Sequence, residues 1–170
     1  MRWIASSFAR PADLDRTDPV DGRPRREWIA GANLHDDFTL ENHARVHPDY
    51  LACTYLLTSQ APLYAWGGRA APAALHLNVP EINATLKRLA LPDGAWVYPN
   101  GQDWGLRRNL DWFEYHTALA VLHGDAQSAA LQRACLATMQ RMAARQPQGS
   151  IYVPGETRLS SDQAMALELP

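Results

Sequence analysis

No apolar run in the sequence approaches the roughly 20 residues that a membrane-spanning helix needs, so no spanning segment is expected. The N-terminal stretch MRWIASSFARPADLDR turns polar and charged after about ten residues and lacks the long apolar core of a secretory signal. A soluble chain is the expectation, and its compartment stays open. An excess of either charge is also missing: 16 Lys and Arg face 18 Asp and Glu, a net charge of −2. Such a chain has no basic field to gather nucleic acid or an anionic membrane, and neither is expected as a partner. Cysteine is scarce. Cys53 and Cys135 sit inside helix-like apolar patterns, which suits buried thiols better than a disulfide framework or a zinc site. No G-x-S-x-G elbow, phosphate loop or G-x-G-x-x-G occurs, which removes the common hydrolase, nucleotide and dinucleotide signatures. No fixed-period motif supports a helical repeat array.

What is present is an ordinary globular composition, 46% hydrophobic over 170 residues, enough for one core. Residues 11–27 carry three prolines, a glycine and many charges and offer almost nothing to bury, so they read as a loop or linker. The expected division is an N-terminal helix or turn with a polar linker over 1–27, then a helical domain over 28–170.

Helix signals dominate that domain. Pro48 suits a first helical position, and Cys53, Leu56, Leu57, Gln60 and Tyr64 follow helical spacing, which predicts one helix from about Asp49 to Ala65. A second begins near Pro80, with Ile82, Leu86 and Leu89 on one stripe and Pro92, Asp93 and Gly94 as its stop. A third runs from Asp111, boxed by Glu114, to His123. Apolar residues nearly surround it, which predicts deep burial. Asp125 caps a fourth, with Leu131, Cys135, Thr138 and Met142 on one face. Ser160 and Gln163 mark a short fifth. The fold class expected is all-α, helical hairpins joined by aromatic-rich loops.

Two polar stretches concentrate groups able to do chemistry. The first, ENHARVHPDY over 41–50, places Asn42, His43, His47 and Tyr50 beside the acids Glu41 and Asp49. Pro48 disfavours α geometry at His47, so His43 and His47 are not expected on one continuous helix, and a helical H-x-x-x-H metal motif is disfavoured. Each residue also has a plainer reading: Asn42 a turn former, His43 a surface residue, His47 an N-cap, Tyr50 a core aromatic. The second stretch, WVYPNGQDWGLRRNLDW over 96–112, interleaves Trp96, Tyr98, Trp104 and Trp112 with Asn100, Gln102, Asp103, Arg107 and Arg108. Flat aromatic faces beside hydrogen-bonding groups suit a sugar ring, and paired arginines suit carboxylate or sulfate. Tryptophans plugging a core would look the same in sequence. His116 and His123 share a helix face and read as structural histidines, while Arg133, Arg141 and Arg145 read as a solvated face.

With E-N-H-x-x-x-H-P-D-Y before a helix, Y-P-N-G-Q-D-W-G after one, and helical hairpins throughout, the chain resembles the α/α toroid polysaccharide lyases, nearest the heparinase II/III-like group, over about residues 28–170. The resemblance implies an incomplete α/α toroid continued by further hairpins or another domain. It also implies cleavage of a uronic-acid glycan by β-elimination, with an acidic oligo- or polysaccharide as partner and no cofactor. It places Asn42 at the substrate carboxylate, His43 or His47 as base or charge neutraliser, Tyr50 as base or acid, and Arg107 or Arg108 against the acidic substrate. Two alternatives stand beside it. A toroid glycoside hydrolase would need two carboxylates, for which Asp36, Asp37, Glu41, Asp103 and Glu114 are candidates. A non-catalytic glycan-binding or interaction module would need none.

Overall fold

The computed structural model describes residues 2–101, 109–145 and 147–149, the side chains of 56 and 109–111 excepted. It is mainly helical, with two small two-stranded sheets. The helices are α1 (Arg2–Ser7), α2 (Arg25–Trp28), α3 (Pro48–Ala52), α4 (Thr54–Thr58), α5 (Ala61–Trp66), α6 (Val79–Arg88), α7 (Asn109–His123) and α8 (Ala126–Ala143). The strands are β1 (Pro19–Val20) with β2 (Arg23–Pro24), and β3 (Glu41–Asn42) with β4 (Arg45–Val46), each pair antiparallel. The short helix expected near Ser160 lies outside the described residues.

One hydrophobic cluster joins both ends of the described chain. Ala5 and Phe8 from the N-terminal segment meet Leu51 and Ala52, Ile82 and Leu86, Trp96, and Trp112, Tyr115 and Leu119, with Cys135 of α8 closing the far side. Ile82 and Leu86 are wholly buried, as their spacing on α6 predicts. Each contributes about 2 kcal/mol by leaving water.

The stretch 11–27 departs from its reading as a linker. Composition missed a buried charge network: Asp13 has no solvent exposure and accepts bonds from Arg10, from Arg25 at 3.1 Å and from the Asn78 amide at 2.8 Å. Asn78, with φ +56, stands immediately before α6 and also donates to the Phe8 carbonyl at 2.9 Å. Asp21 and Gly22 turn the β1–β2 hairpin with positive φ, and the Asp21 carboxylate caps Ala73 and Ala74 at 2.8 and 3.0 Å. A charged segment can thus be integral when its charges are paired inside.

The helix expected over Asp49–Ala65 is three short ones. Pro62 has no N–H to give to the Thr58 carbonyl, which ends α4 and opens α5 at Ala61. At Cys53 the N–H is shared between the Asp49 and Tyr50 carbonyls, a tightening rather than a true end. Over α7 the near-continuous apolar pattern overstates burial: Trp112, Tyr115, His116 and Leu119 are buried, whereas Val121 is 75% exposed. Glu114, expected in a capping box, instead accepts the Tyr55 hydroxyl at 2.5 Å. Asp125 caps α8 as expected, accepting the Ser128 N–H at 2.7 Å.

Between α6 and α7 the chain reverses at Pro92-Asp93-Gly94. Asp93 accepts the Ala95 N–H at 3.0 Å, and Leu91 and Val97 bond across the turn to Ala95 and Leu89. Gly94 is needed twice, since its φ is +87 and a Cβ there would lie 2.2 Å from Cys135 Sγ. Gly94→Ala is expected to cost about 3 kcal/mol, read by chemical denaturation; a loss below about 1 kcal/mol would mean that α8 yields easily.

The Asp13 network makes a second measurable demand. Burial raises the Asp13 pKa, but bonds from Arg10 and Asn78 outweigh it and hold the carboxyl below its ordinary 3.8. A depressed folded pKa gives stability that is present above the unfolded value and lost as pH falls through the folded one. Asp13→Asn should therefore destabilise by about 3 kcal/mol at neutral pH. The gap between the two proteins should narrow as pH falls below about 4. A gap that stays constant in acid would show that the charge on Asp13 contributes nothing.

Candidate functional site

In the first polar stretch, β3 and β4 are joined by only two residues, His43 and Ala44, both with positive φ at +52 and +58. That is the pattern of a type I′ hairpin turn, which normally takes Asn-Gly, so a histidine at its tip is held there against its own preference. His43 is exposed. After β4 the chain enters α3 as Pro48 predicts: His47 is the residue before the helix, extended at φ −119, and Pro48 occupies the first turn.

His47 and Asp49 are both fully buried, and His47 Nδ1 meets Asp49 Oδ1 directly. A carboxylate there fixes the ring's tautomer and orientation. Tyr50 crosses His47 edge to face with centroids 4.9 Å apart, and His43 lies 6.4 Å from Tyr50 in the same fashion. His47 therefore stands behind Tyr50 and has no surface of its own for a ligand. Tyr50 is half-buried and faces a cavity of about 350 Å3 lined also by Asn42, Glu41, Asn33, Cys53 and Thr54. Asn42 Nδ2 is buried and makes no hydrogen bond among the described residues. A buried amide donor left unsatisfied costs about 1–3 kcal/mol, so its place beside a cavity asks for an acceptor.

The second stretch comes to the first through two residues. Asn100 Oδ1 accepts the Val46 N–H at 2.8 Å, Asn100 Nδ2 donates to the Ala44 carbonyl at 3.4 Å, and the Arg45 guanidinium donates to the Asn100 carbonyl at 2.7 Å. Tyr98 stands edge-on to His47, with centroids 5.9 Å apart. Trp96, expected as a platform for a sugar, is instead a core residue, 1% exposed, packed on Tyr115. The antiparallel bridge between Ala90 and Trp96 turns its ring inward. Gln102, Asp103, Trp104, Arg107 and Arg108 lie outside the described residues.

The carboxylates considered for hydrolysis are dispersed. Asp36 accepts the Ala12 N–H at 3.3 Å, Asp37 caps Thr39 at 2.9 Å, and Glu114 holds Tyr55, so among the described candidates only Glu41 lines the cavity. Sequence reasoning also passed over a larger cleft of about 770 Å3, walled by α6, by the turn ending at His76, and by the junction of α7 with α8. His123, read as structural, lies on it with its ring 5.9 Å from that of His76. Nothing in the spacing of residues 47 apart signals such a pairing.

If Asn100 is the clamp on the hairpin, Asn100→Ala should speed hydrogen exchange of the Val46 amide by about tenfold, the loss of one ordinary hydrogen bond. Asn100→Asp keeps the acceptor and should retain most of the protection. Equal exchange in all three proteins would show that the hairpin stands unaided. No protein-family model matches this chain, and no curated protein or solved structure is significantly similar to it.

Proposed function

We propose that the cavity beside Tyr50 is the acid–base half of a carbon–oxygen lyase acting on a uronic-acid glycan, carried on helical hairpins of an α/α toroid. The observation that carries this reading is that Asn42, whose amide nitrogen makes no hydrogen bond among the described residues, lines the same cavity as Tyr50. A proton beside a carboxylate is removed readily only when that carboxylate's charge is offset, and an amide donor supplies such an offset without a charge of its own. The resemblance of ENHARVHPDY to toroid lyases points the same way.

The roles follow from exposure. Asn42 donates to the substrate carboxylate. His43, exposed at the hairpin tip, takes the proton from the carbon beside it. The electron pair left behind forms the carbon–carbon double bond as the glycosidic bond breaks, and the Tyr50 hydroxyl gives its proton to the departing oxygen. His47, locked by Asp49, is a positioning residue that sets the plane of the Tyr50 ring. Tyr98 and Asn100 hold the hairpin in register. A hydrolase has less support, because Glu41 has no facing carboxylate among the described candidates.

The discriminating assay follows ultraviolet absorbance on uronic and neutral glycans, since β-elimination leaves an unsaturated uronic end. Tyr50→Phe and His43→Gln should each lower turnover by about 100-fold or more, the usual share of an acid or base. New reducing ends without an ultraviolet rise would overturn the lyase reading in favour of hydrolysis. Near-normal rates in either variant would remove that residue from the chemistry.

A further inference from the structure

The 770 Å3 cleft along α6 contains none of the groups just assigned, and its wall has a different chemistry. From α6 come Lys87, Arg88 and Asn83, from the turn Ala73–His76 comes His76, from the end of α7 comes His123, and Gln127 lies in the first turn of α8. Nearly every one of these is a hydrogen-bond donor. The one carboxylate on the wall among the described residues, Asp125, is occupied: one oxygen accepts the Ser128 N–H at 2.7 Å and the other is paired with Lys87. Asn83 has its oxygen turned to the Tyr115 hydroxyl at 2.5 Å, which leaves the amide nitrogen as its other arm. Arg88 uses one nitrogen on Thr85 at 2.8 Å, and its side chain is exposed.

We propose that this cleft binds a tetrahedral oxoanion, a sulfate or phosphate group carried on a small molecule, with Arg88, His76 and His123 as its principal donors. The donors come from three separate elements, α6, the turn Ala73–His76 and the end of α7, which offers partners to oxygens pointing in several directions and so suits a tetrahedral group better than a planar carboxylate. The positive end of the 18-residue α8 opens on the same wall and adds to the attraction. The volume admits a molecule well beyond the anion itself.

His123 makes the site responsive to pH. The titratable and charged groups around it are His76 on the turn before α6, Lys87 and Arg88 on α6 and Asp125 before α8. Burial lowers the His123 pKa, the neighbouring His76 lowers it further, and Asp125 opposes both. The empty cleft therefore favours neutral His123 near neutral pH, and a bound dianion favours its protonated form. Binding takes up a proton, and affinity rises as pH falls.

Inorganic sulfate is the first ligand to use, because it stays dianionic across the range, and inorganic phosphate is the second. In the full chain, sulfate should shift the ring resonances of His76 and His123 but not that of His43. Its affinity should be about tenfold higher near pH 5.5 than near pH 7.5. Arg88→Ala and His123→Ala, both at exposed positions, should each weaken it about tenfold, the value of one charge-assisted bond, with the melting temperature as a check on folding. Absence of any shift at about 50 mM sulfate would overturn the site. Unchanged affinity in Arg88→Ala would do the same, and acetate binding as tightly at matched ionic strength would overturn the tetrahedral preference.

Discussion

The buried carboxylate of Asp13 is the constraint on which the other elements depend. A charge removed from water must find its partners inside, and Asp13 finds them in Arg10, Arg25 and Asn78, residues from three separate parts of the chain. Satisfying it places the N-terminal segment against the start of α6 and fixes Asn78 in a left-handed conformation that launches that helix. From there α6 presents Ile82 and Leu86 to the core on one face and Asn83, Lys87 and Arg88 to the large cleft on another. Asp21 extends the same logic by capping the turn that carries His76. The polar N-terminal stretch thus sets the geometry of a cleft formed by residues far along the sequence.

The hairpin over 41–46 shows how local strain and remote clamping act together. A two-residue turn with His43 and Ala44 at positive φ is costly without glycine, and such a conformation persists only where surrounding contacts over-determine it. Asn100 provides them, since one side chain meets both the turn and the strand after it. Behind the hairpin the buried pair His47 and Asp49 fixes the aromatic wall from which Tyr50 projects. The result is a rigid backing behind Tyr50, an exposed imidazole at the hairpin tip, and an Asn42 amide nitrogen with no hydrogen bond among the described residues.

The two cavities differ in how their polar groups are balanced. Beside Tyr50 the wall mixes acceptors and donors, with Glu41 and Asn42 adjacent, which suits acid–base work on a bound molecule. In the cleft along α6 donors predominate and, among the described residues, the one carboxylate on the wall is already paired, which suits holding an anion. Both rest on the same core, because α3 and α6 bury their apolar faces in one cluster.

Much of the helical framework is legible in the sequence, because it rests on local chemistry. Pro48, Pro80 and Asp125 mark helix starts through the backbone groups that they lack or cap. The Ile82 and Leu86 spacing marks the buried stripe of α6, and Pro48 alone moves His47 out of the helix. The Asn42–Tyr50 cluster is visible as a density of polar groups. Tertiary structure decided the rest, because burial and long-range pairing have no local signature. A tryptophan on a sugar-facing rim and one in a core look identical in sequence, and it is the packing of Trp96 against Tyr115 of α7 that makes it a core residue. The hairpin at His43 lacks the Asn-Gly signal because its stability is supplied by Asn100, more than fifty residues away. Asp13 looks solvated in sequence until Arg10, Arg25 and Asn78 pair with it inside, and His76 meets His123 only once α6, α7 and α8 are packed.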